Sequence, residues 1–172
     1  MSKPIQVLVL CTGNSARSIM AEALINQLGA GRWRAASAGS KPTGRVHPLA
    51  IEQVQLGGGD ASTARSKSWD EFGGPAALPM DLVITVCGNA AEESCPIWPG
   101  APLQVHWGFP DPAAASGDLS AQRAAFAAVY AAIRPKIEAL VQLPWSELDH
   151  SARRAALARI AAAHPPTLTA QP

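Results

Sequence analysis

The chain reads as a single α/β domain built on a four-stranded parallel sheet flanked by helices on both faces. Three observations predict this. Short apolar runs suited to buried strands alternate with stretches whose apolar residues recur every three or four positions. Glycine clusters and prolines punctuate the junctions. A length of 172 residues with 48% hydrophobic content supports one core and is short for two.

The first strand covers residues 5–10, where Ile5, Val7, Leu8, Val9 and Leu10 form a nearly continuous apolar run. A helix over 18–28 follows, carrying Ile19, Ala23, Leu24 and Leu28 and closed by Gly29 and Gly31. A second extended piece spans 33–38. His47-Pro48 then opens a helix whose Leu49, Ile51, Val54 and Leu56 precede the stop at Gly57-Gly58-Gly59. Residues 80–86 form a third strand ending at Cys87, and 102–107 a fourth, with Leu103 and Val105 on one side and Gln104 on the other. Between 120 and 143, Phe126, Val129, Tyr130, Ile133, Ile137, Leu140 and Val141 make a helical stripe fit to cover a sheet face. Pro135 inside it is expected to kink or divide that helix near 131–134. A last helix over 146–163 is expected to expose Arg153, Arg154 and Arg159, and 165–172 to be a disordered tail. The main domain is thus expected at 1–143, a helical extension at 144–164 and the tail at 165–172. No internal repeat is present.

Net charge is +1 with both signs mixed along the chain, which gives no electrostatic footprint for nucleic acid or an anionic membrane. Recognition of a small anion is expected instead. The start of the chain lacks a charged-then-apolar leader, and no apolar stretch approaches eighteen residues, so a cytoplasmic protein is expected. A monomer is the default. Three cysteines, Cys11, Cys87 and Cys95, are too few and too odd for a disulfide framework. His47, His106, His150 and His164 are scattered, so no metal ligation by the cysteines is expected.

The chemistry concentrates in Cys11-Thr12-Gly13-Asn14-Ser15-Ala16-Arg17-Ser18, between the first strand and the first helix. A loop in that position aims backbone N–H groups and a helix N-terminus at one tetrahedral anion, and phosphate and arsenate both fit. The helix terminus and Arg17 are expected to lower the Cys11 pKa and make it a thiolate nucleophile. Arg17 suits a bidentate grip on two oxygens, and Gly13 and Asn14 suit left-handed backbone. Ser18 either donates its hydroxyl to the thiolate or caps the following helix.

Two further sites lie at the same sheet edge. Asp111, in Phe109-Pro110-Asp111-Pro112, is either turn punctuation or an acid that protonates a departing oxygen. Cys87 and Cys95 are either two buried thiols or a redox pair, and two of the three cysteines within nine residues at the active edge favour the pair. A continuous helix over the eight residue steps from Cys87 to Cys95 would separate their Cα atoms by about 12 Å, beyond the roughly 7 Å limit for a disulfide. The helical-looking residues 90–94 are therefore expected to unwind or loop out on oxidation.

The Cys11 to Ser18 string resembles the phosphate loop of the low-molecular-weight protein tyrosine phosphatase fold. With Met20-Ala21-Glu22, Cys87, Cys95, His106-Trp107-Gly108 and Asp111-Pro112 in that order, the chain resembles the thioredoxin-coupled arsenate reductases of that fold over about its first 140 residues. Two departures from phosphatases lean toward reductase: Ala16 stands where many carry a second cysteine, and no tyrosine follows Asp111. The paired cysteines are one residue further apart than in some members, which leaves thioredoxin and glutathione with glutaredoxin as alternative electron donors.

The resemblance implies reduction of arsenate to arsenite in arsenic detoxification, with no tightly bound cofactor. Cys11 would take the oxyanion on residues Thr12 to Ser18, with Arg17 balancing charge and Asp111 as acid; Cys87 and Cys95 would complete a disulfide relay. It also implies that residues matching Asn14 and Glu22 hold a potassium ion. A phosphatase that hydrolyses phosphate monoesters and a non-enzymatic oxyanion or redox sensor are the competing functions.

Overall fold

Val7, Leu8, Val9 and Leu10 are fully shielded from solvent, as a central strand covered on both faces must be. They belong to β1 (Ile5–Cys11) in a computed structural model that describes residues 2–87 and 98–163. With β2 (Trp33–Gly39), β3 (Leu82–Thr85) and β4 (Leu103–His106) it forms one sheet in the order β2-β1-β3-β4, every pairing parallel. The expected ladders at 80–86 and 102–107 are shorter as strands, yet Val86 N–H still bonds Leu10 O at 2.9 Å and Trp107 N–H bonds Thr85 O at 2.8 Å.

Alternation along the strands sorts two cores. Val7, Val9, Leu82 and Ile84 face a large cluster with residues from the four α-helices of the described residues: α1 (Arg17–Leu28), α2 (Pro48–Leu56), α3 (Leu119–Val141) and α4 (His150–Ala163). Leu8, Leu10, Ala38 and Val83 face the other way, onto Met80 and Trp98, with the 3-10 turn Trp69–Phe72 against them. Helical elements therefore cover both faces, as expected of the class. Among the described residues no helix is long and apolar enough to cross a membrane.

The helix limits follow local chemistry. α2 starts because His47 Nδ1 accepts Leu49 N–H at 3.1 Å and Pro48 occupies the first turn, and it stops at Gly57. Asp118 caps α3 through Ala121 N–H at 2.9 Å. Of the kink or division expected near 131–134, the division does not occur: α3 runs through Pro135 as one helix. A helix-interior proline costs about 3 kcal/mol, whereas each buried large aliphatic returns about 1.5–3 kcal/mol, and Ile133, Ile137 and Leu140 flank it on the buried stripe. Packing wins.

The end of the chain departs from the sequence reading. The expected helix over 146–163 is a 3-10 turn, Trp145–Glu147, followed by α4, which starts later because the Asp149 carboxylate accepts Ala152 N–H at 2.8 Å. Arg153 is half-buried rather than exposed. Its guanidinium lies 4.7 Å from the Trp145 ring and donates to Trp145 O at 3.0 and 2.8 Å. Trp145 in turn meets Trp33 edge to face at 5.5 Å.

Chain order reverses at β1, whose neighbours β2 and β3 lie on opposite sides. The carboxyl ends of strands at such a switch point are where open α/β sheets place ligands. Cys11 ends β1 there, and the pairing of Leu10 with Thr85 brings the residues just past β3 alongside it.

Candidate active site

From Cys11 the chain turns through residues 12–16 into α1, whose first residue is Arg17. Asn14 makes the turn at φ 47°, left-handed backbone that asparagine tolerates better than most residues. Gly13, expected to share that conformation, does not adopt it. A Cβ there would stand 3.3 Å from Thr43 Cγ2, so its lack of a side chain serves close packing.

The loop's carbonyls are tied down from outside. Thr12 O accepts Lys41 N–H at 3.0 Å, Gly13 O accepts Thr43 N–H and the Ser66 hydroxyl at 3.0 Å each, and Ser15 O accepts His47 N–H at 2.9 Å. Across a trans peptide plane the N–H points opposite to the C=O. Fixing these carbonyls therefore turns the N–H groups of Gly13, Asn14 and Ala16 to the other side, the geometry of an anion nest. No side chain caps α1 at Ala16, so its first-turn N–H groups add to the same field.

A cavity of about 620 Å³ opens over this loop, with Cys11, Arg17, Cys87 and Asp111 in its walls. Arg17 Nη1 donates to Phe109 O at 3.0 Å, and Nη2 lies 3.8 Å from Asp111 Oδ2. Asp111 Oδ1 accepts Ala113 N–H at 3.0 Å while the side chain stays 45% exposed. The carboxylate is thus aimed by its backbone turn and wetted at the cavity mouth.

Cys87 stands directly on the loop. Thr12 N–H donates to its Sγ at 3.1 Å, Thr12 Oγ1 lies 3.4 Å from the same sulfur, and Cys11 lines the same cavity. Both cysteines are buried and neither is in a disulfide. The expected depression of the Cys11 pKa is reversed in this arrangement. The hydrogen bond with Cys87, then burial, pushes the Cys11 thiol far above the ordinary thiol range, against the opposing pull of Arg17 and of Thr12 N–H. While Cys87 is beside it, Cys11 keeps its proton. Cys95 and the predicted helical segment 90–94 lie outside the described residues.

Beneath the loop runs a polar chain whose Asn14, Ser18 and Ser37 are fully buried and whose Glu22 is half-buried. Asn14 Nδ2 donates to Ser18 Oγ at 2.8 Å and to Ser37 Oγ at 2.9 Å, and Asn14 Oδ1 accepts Lys67 N–H at 3.0 Å. The Ser37 hydroxyl donates to Glu22 Oε2 at 2.8 Å. Burial raises the Glu22 pKa, and the Lys67 ammonium and the Ser37 bond pull it back; burial lowers the Lys67 pKa, and Glu22 raises it. Ser18 is fully buried and takes the Asn14 bond, and the structure shows no helix cap made by its side chain.

Sequence reasoning did not find Ser37, Ser66, Lys67, Thr43 or the Phe109 carbonyl. Phe109 alone carried a signal, adjoining Asp111 in a proline-stiffened string; the others reach the loop only through the fold.

The model of the family described as low molecular weight phosphotyrosine protein phosphatase matches residues 6–154. An arsenate reductase of Halalkalibacterium halodurans is 38% identical over 133 residues, covering 77% of this chain and 92% of that protein. A solved arsenate reductase in its phosphate-binding state superposes with a TM-score of 0.63 at 28% identity, over 80% of this chain and 96% of that one. A thioredoxin-dependent arsenate reductase of Corynebacterium glutamicum gives a TM-score of 0.53 at 26% identity, over 78% and 61% of the two chains.

Proposed function

The chain belongs to the low molecular weight phosphotyrosine protein phosphatase family, and from that premise we propose that it is an arsenate reductase that makes arsenite through a relay of Cys11, Cys87 and Cys95. The observation that carries the reading is the position of Cys87. A hydrolase needs water beside the nucleophile; here a second thiol shares the cavity with Cys11 and sits on Thr12 N–H.

Arsenate enters the nest, held by the loop N–H groups of Thr12 to Ser18 and by Arg17, and displaces the Cys87 sulfur from Cys11. The Cys11 proton passes to the Asp111 carboxylate as the Cys11 sulfur attacks arsenic, and Asp111 delivers that proton to the oxygen that leaves as water. Cys87 next attacks the Cys11 sulfur. The S–As bond breaks and its electron pair stays with arsenic, so arsenic(V) becomes arsenic(III), arsenite departs, and two thiols become the Cys11–Cys87 disulfide. Cys95 attacks Cys87 and releases Cys11, and an external dithiol reduces the resulting Cys87–Cys95 bond. Thioredoxin is the proposed donor, by analogy with the Corynebacterium relative; glutathione with glutaredoxin is the alternative the assay must separate. A cytoplasmic monomer with a transient thioredoxin contact and no nucleic-acid or membrane partner completes the reading, the balanced charge of +1 favouring none of the latter.

The test is arsenite production by the purified protein with thioredoxin, its reductase and NADPH, repeated with glutathione and glutaredoxin. Cys87→Ser is expected to abolish arsenite output and to spare hydrolysis of an aryl phosphate. Full reductase activity in that variant refutes the relay, and hydrolysis without any arsenate reduction in the wild type assigns a phosphatase instead.

A further inference from the structure

Lys136, on α3, is 2% exposed, and none of the reaction steps above uses it. A charged amine drawn out of water needs a partner. Among the described residues no carboxylate pairs with it. The groups that face its ammonium are aromatic: Nζ lies over the Phe109 ring at 5.2 Å from the centroid and over the Trp107 ring at 5.8 Å. Both distances fall inside the roughly 6 Å over which a ring face attracts a cation. Burial pulls the Lys136 pKa below the ordinary lysine range, as expected where two rings take the place of water.

Both rings belong to the segment that leads from β4 to Asp111. Trp107 and Phe109 are two residues apart, so in extended chain their side chains fall on one side, and both are buried in the large core. Trp107 N–H bonds Thr85 O at 2.8 Å and Phe109 N–H bonds Val86 O at 3.0 Å, which ties the segment to β3. Phe109 O then accepts Arg17 Nη1 at 3.0 Å. One ammonium therefore grips the residue whose carbonyl sets the guanidinium of the oxyanion site. An apolar side chain in its place would fill the space, but apolar contact has no preferred direction, whereas the cation is drawn to the ring faces.

We propose that Lys136 is a positioning residue of the oxyanion site: its ammonium clamps the Trp107 and Phe109 rings and so holds Phe109 O where it fixes the Arg17 fork for a two-oxygen grip on the anion. Without the clamp the Phe109 backbone keeps its bond to β3 but loses its lateral hold, and Arg17 turns away from the anion for part of the time. The proposal deepens the oxyanion-site reading and rests on it only for the presence of an anion site.

Inorganic phosphate is the probe, titrated calorimetrically into the full chain. Phosphate binding needs no turnover, so failure here is distinguishable from failure of arsenate reduction. Lys136→Met removes the charge and keeps an unbranched side chain that packs well on aromatic rings. It is expected to weaken phosphate binding about tenfold, which is about 1.4 kcal/mol, while Tm stays within about 4 °C of wild type, since an apolar replacement of a buried charge is often neutral. In a Phe109→Leu background, which keeps the carbonyl and lacks the ring, the same substitution is expected to cost about threefold or less. In the wild type, with the lysine ε-carbons labelled with carbon-13, the Lys136 ε-methylene protons are expected upfield of those of Lys3, Lys41 and Lys67, displaced by the two rings. Phosphate affinity within about twofold of wild type in Lys136→Met overturns the proposal. So does an equal loss in the Phe109→Leu background, a Tm lowered by more than about 4 °C, which marks a merely structural lysine, or a Lys136 signal without the upfield displacement. Should Lys136→Met not fold, Lys136→Arg decides: a guanidinium keeps the ring contact, so weakening of phosphate binding by more than about threefold overturns the proposal.

Discussion

Asp111→Asn separates the acid's chemical role from its electrostatic one, because the structure predicts very different sizes for the two. Asparagine keeps an acceptor for Ala113 N–H, so the turn that aims the side chain survives. What it loses is the negative charge near Arg17 and the transferable proton. The charge pair spans 3.8 Å with Asp111 45% exposed; an ion pair that wet is worth at most about 1 kcal/mol, which bounds the change in KM at about fivefold. A missing general acid costs about 10²–10⁴-fold. The expected result is a fall of about a hundredfold or more in the rate of the chemical step with KM little altered. Single-turnover formation of arsenite from pre-reduced protein, quenched at short times, is the assay, since slow exchange with thioredoxin then cannot mask the chemistry. A variant that retains more than about a tenth of the wild-type rate, or that fails through KM alone, refutes the acid role, because neither outcome matches a loss of about a hundredfold or more.

Four other outcomes are expected. Removing Cys87 deletes the largest influence raising the Cys11 pKa, so alkylation of Cys11 in Cys87→Ala should begin at lower pH than in the wild type; the two are compared as rate against pH, and coincident profiles would mean the sulfurs do not share a proton. Arg17→Lys keeps the charge but loses the planar fork and the bond to Phe109 O, and kcat/KM is expected to fall about 10²–10³-fold. In Gly39→Ala the new Cβ meets the backbone oxygens of Thr12 and Cys11, the latter at 2.9 Å; overpacking against backbone costs about 1–3 kcal/mol, read as a Tm lowered by roughly 3–10 °C. Trp145→Ala empties the contact with Trp33 and is expected to cost about 3–5 kcal/mol in denaturant unfolding while leaving kcat of the folded protein unchanged.

The strands and most helix ends were legible because their signals are local. His47-Pro48, Gly57 and the unbroken apolar run before Cys11 each fix a boundary within a few residues of chain. Pro135 does not divide its helix because its local penalty is outweighed by a stripe that packs against the sheet, a tertiary effect. Arg153 misled for the same reason: a cation on an exposed-looking helix face found the Trp145 ring. At the site, Cys11, Arg17 and Asp111 were visible as motif residues, and the cavity brings them together. The direction of the Cys11 pKa was not visible. It depends on a sulfur brought beside it by the pairing of β1 with β3. Ser37 and Lys67, which join Asn14 and Glu22 in the polar chain, were equally hidden, being drawn from a strand and a loop far away in sequence.

The seat that Cys87 occupies has a consequence for timing under the proposed relay. One amide, Thr12 N–H, steadies the resolving sulfur until an anion arrives and competes for the same corner. Occupancy would then release the attacker and unmask its target in a single event. An idle molecule would keep both thiols muffled, so that the protein is slow to squander reducing power on stray oxidants and quick only when loaded.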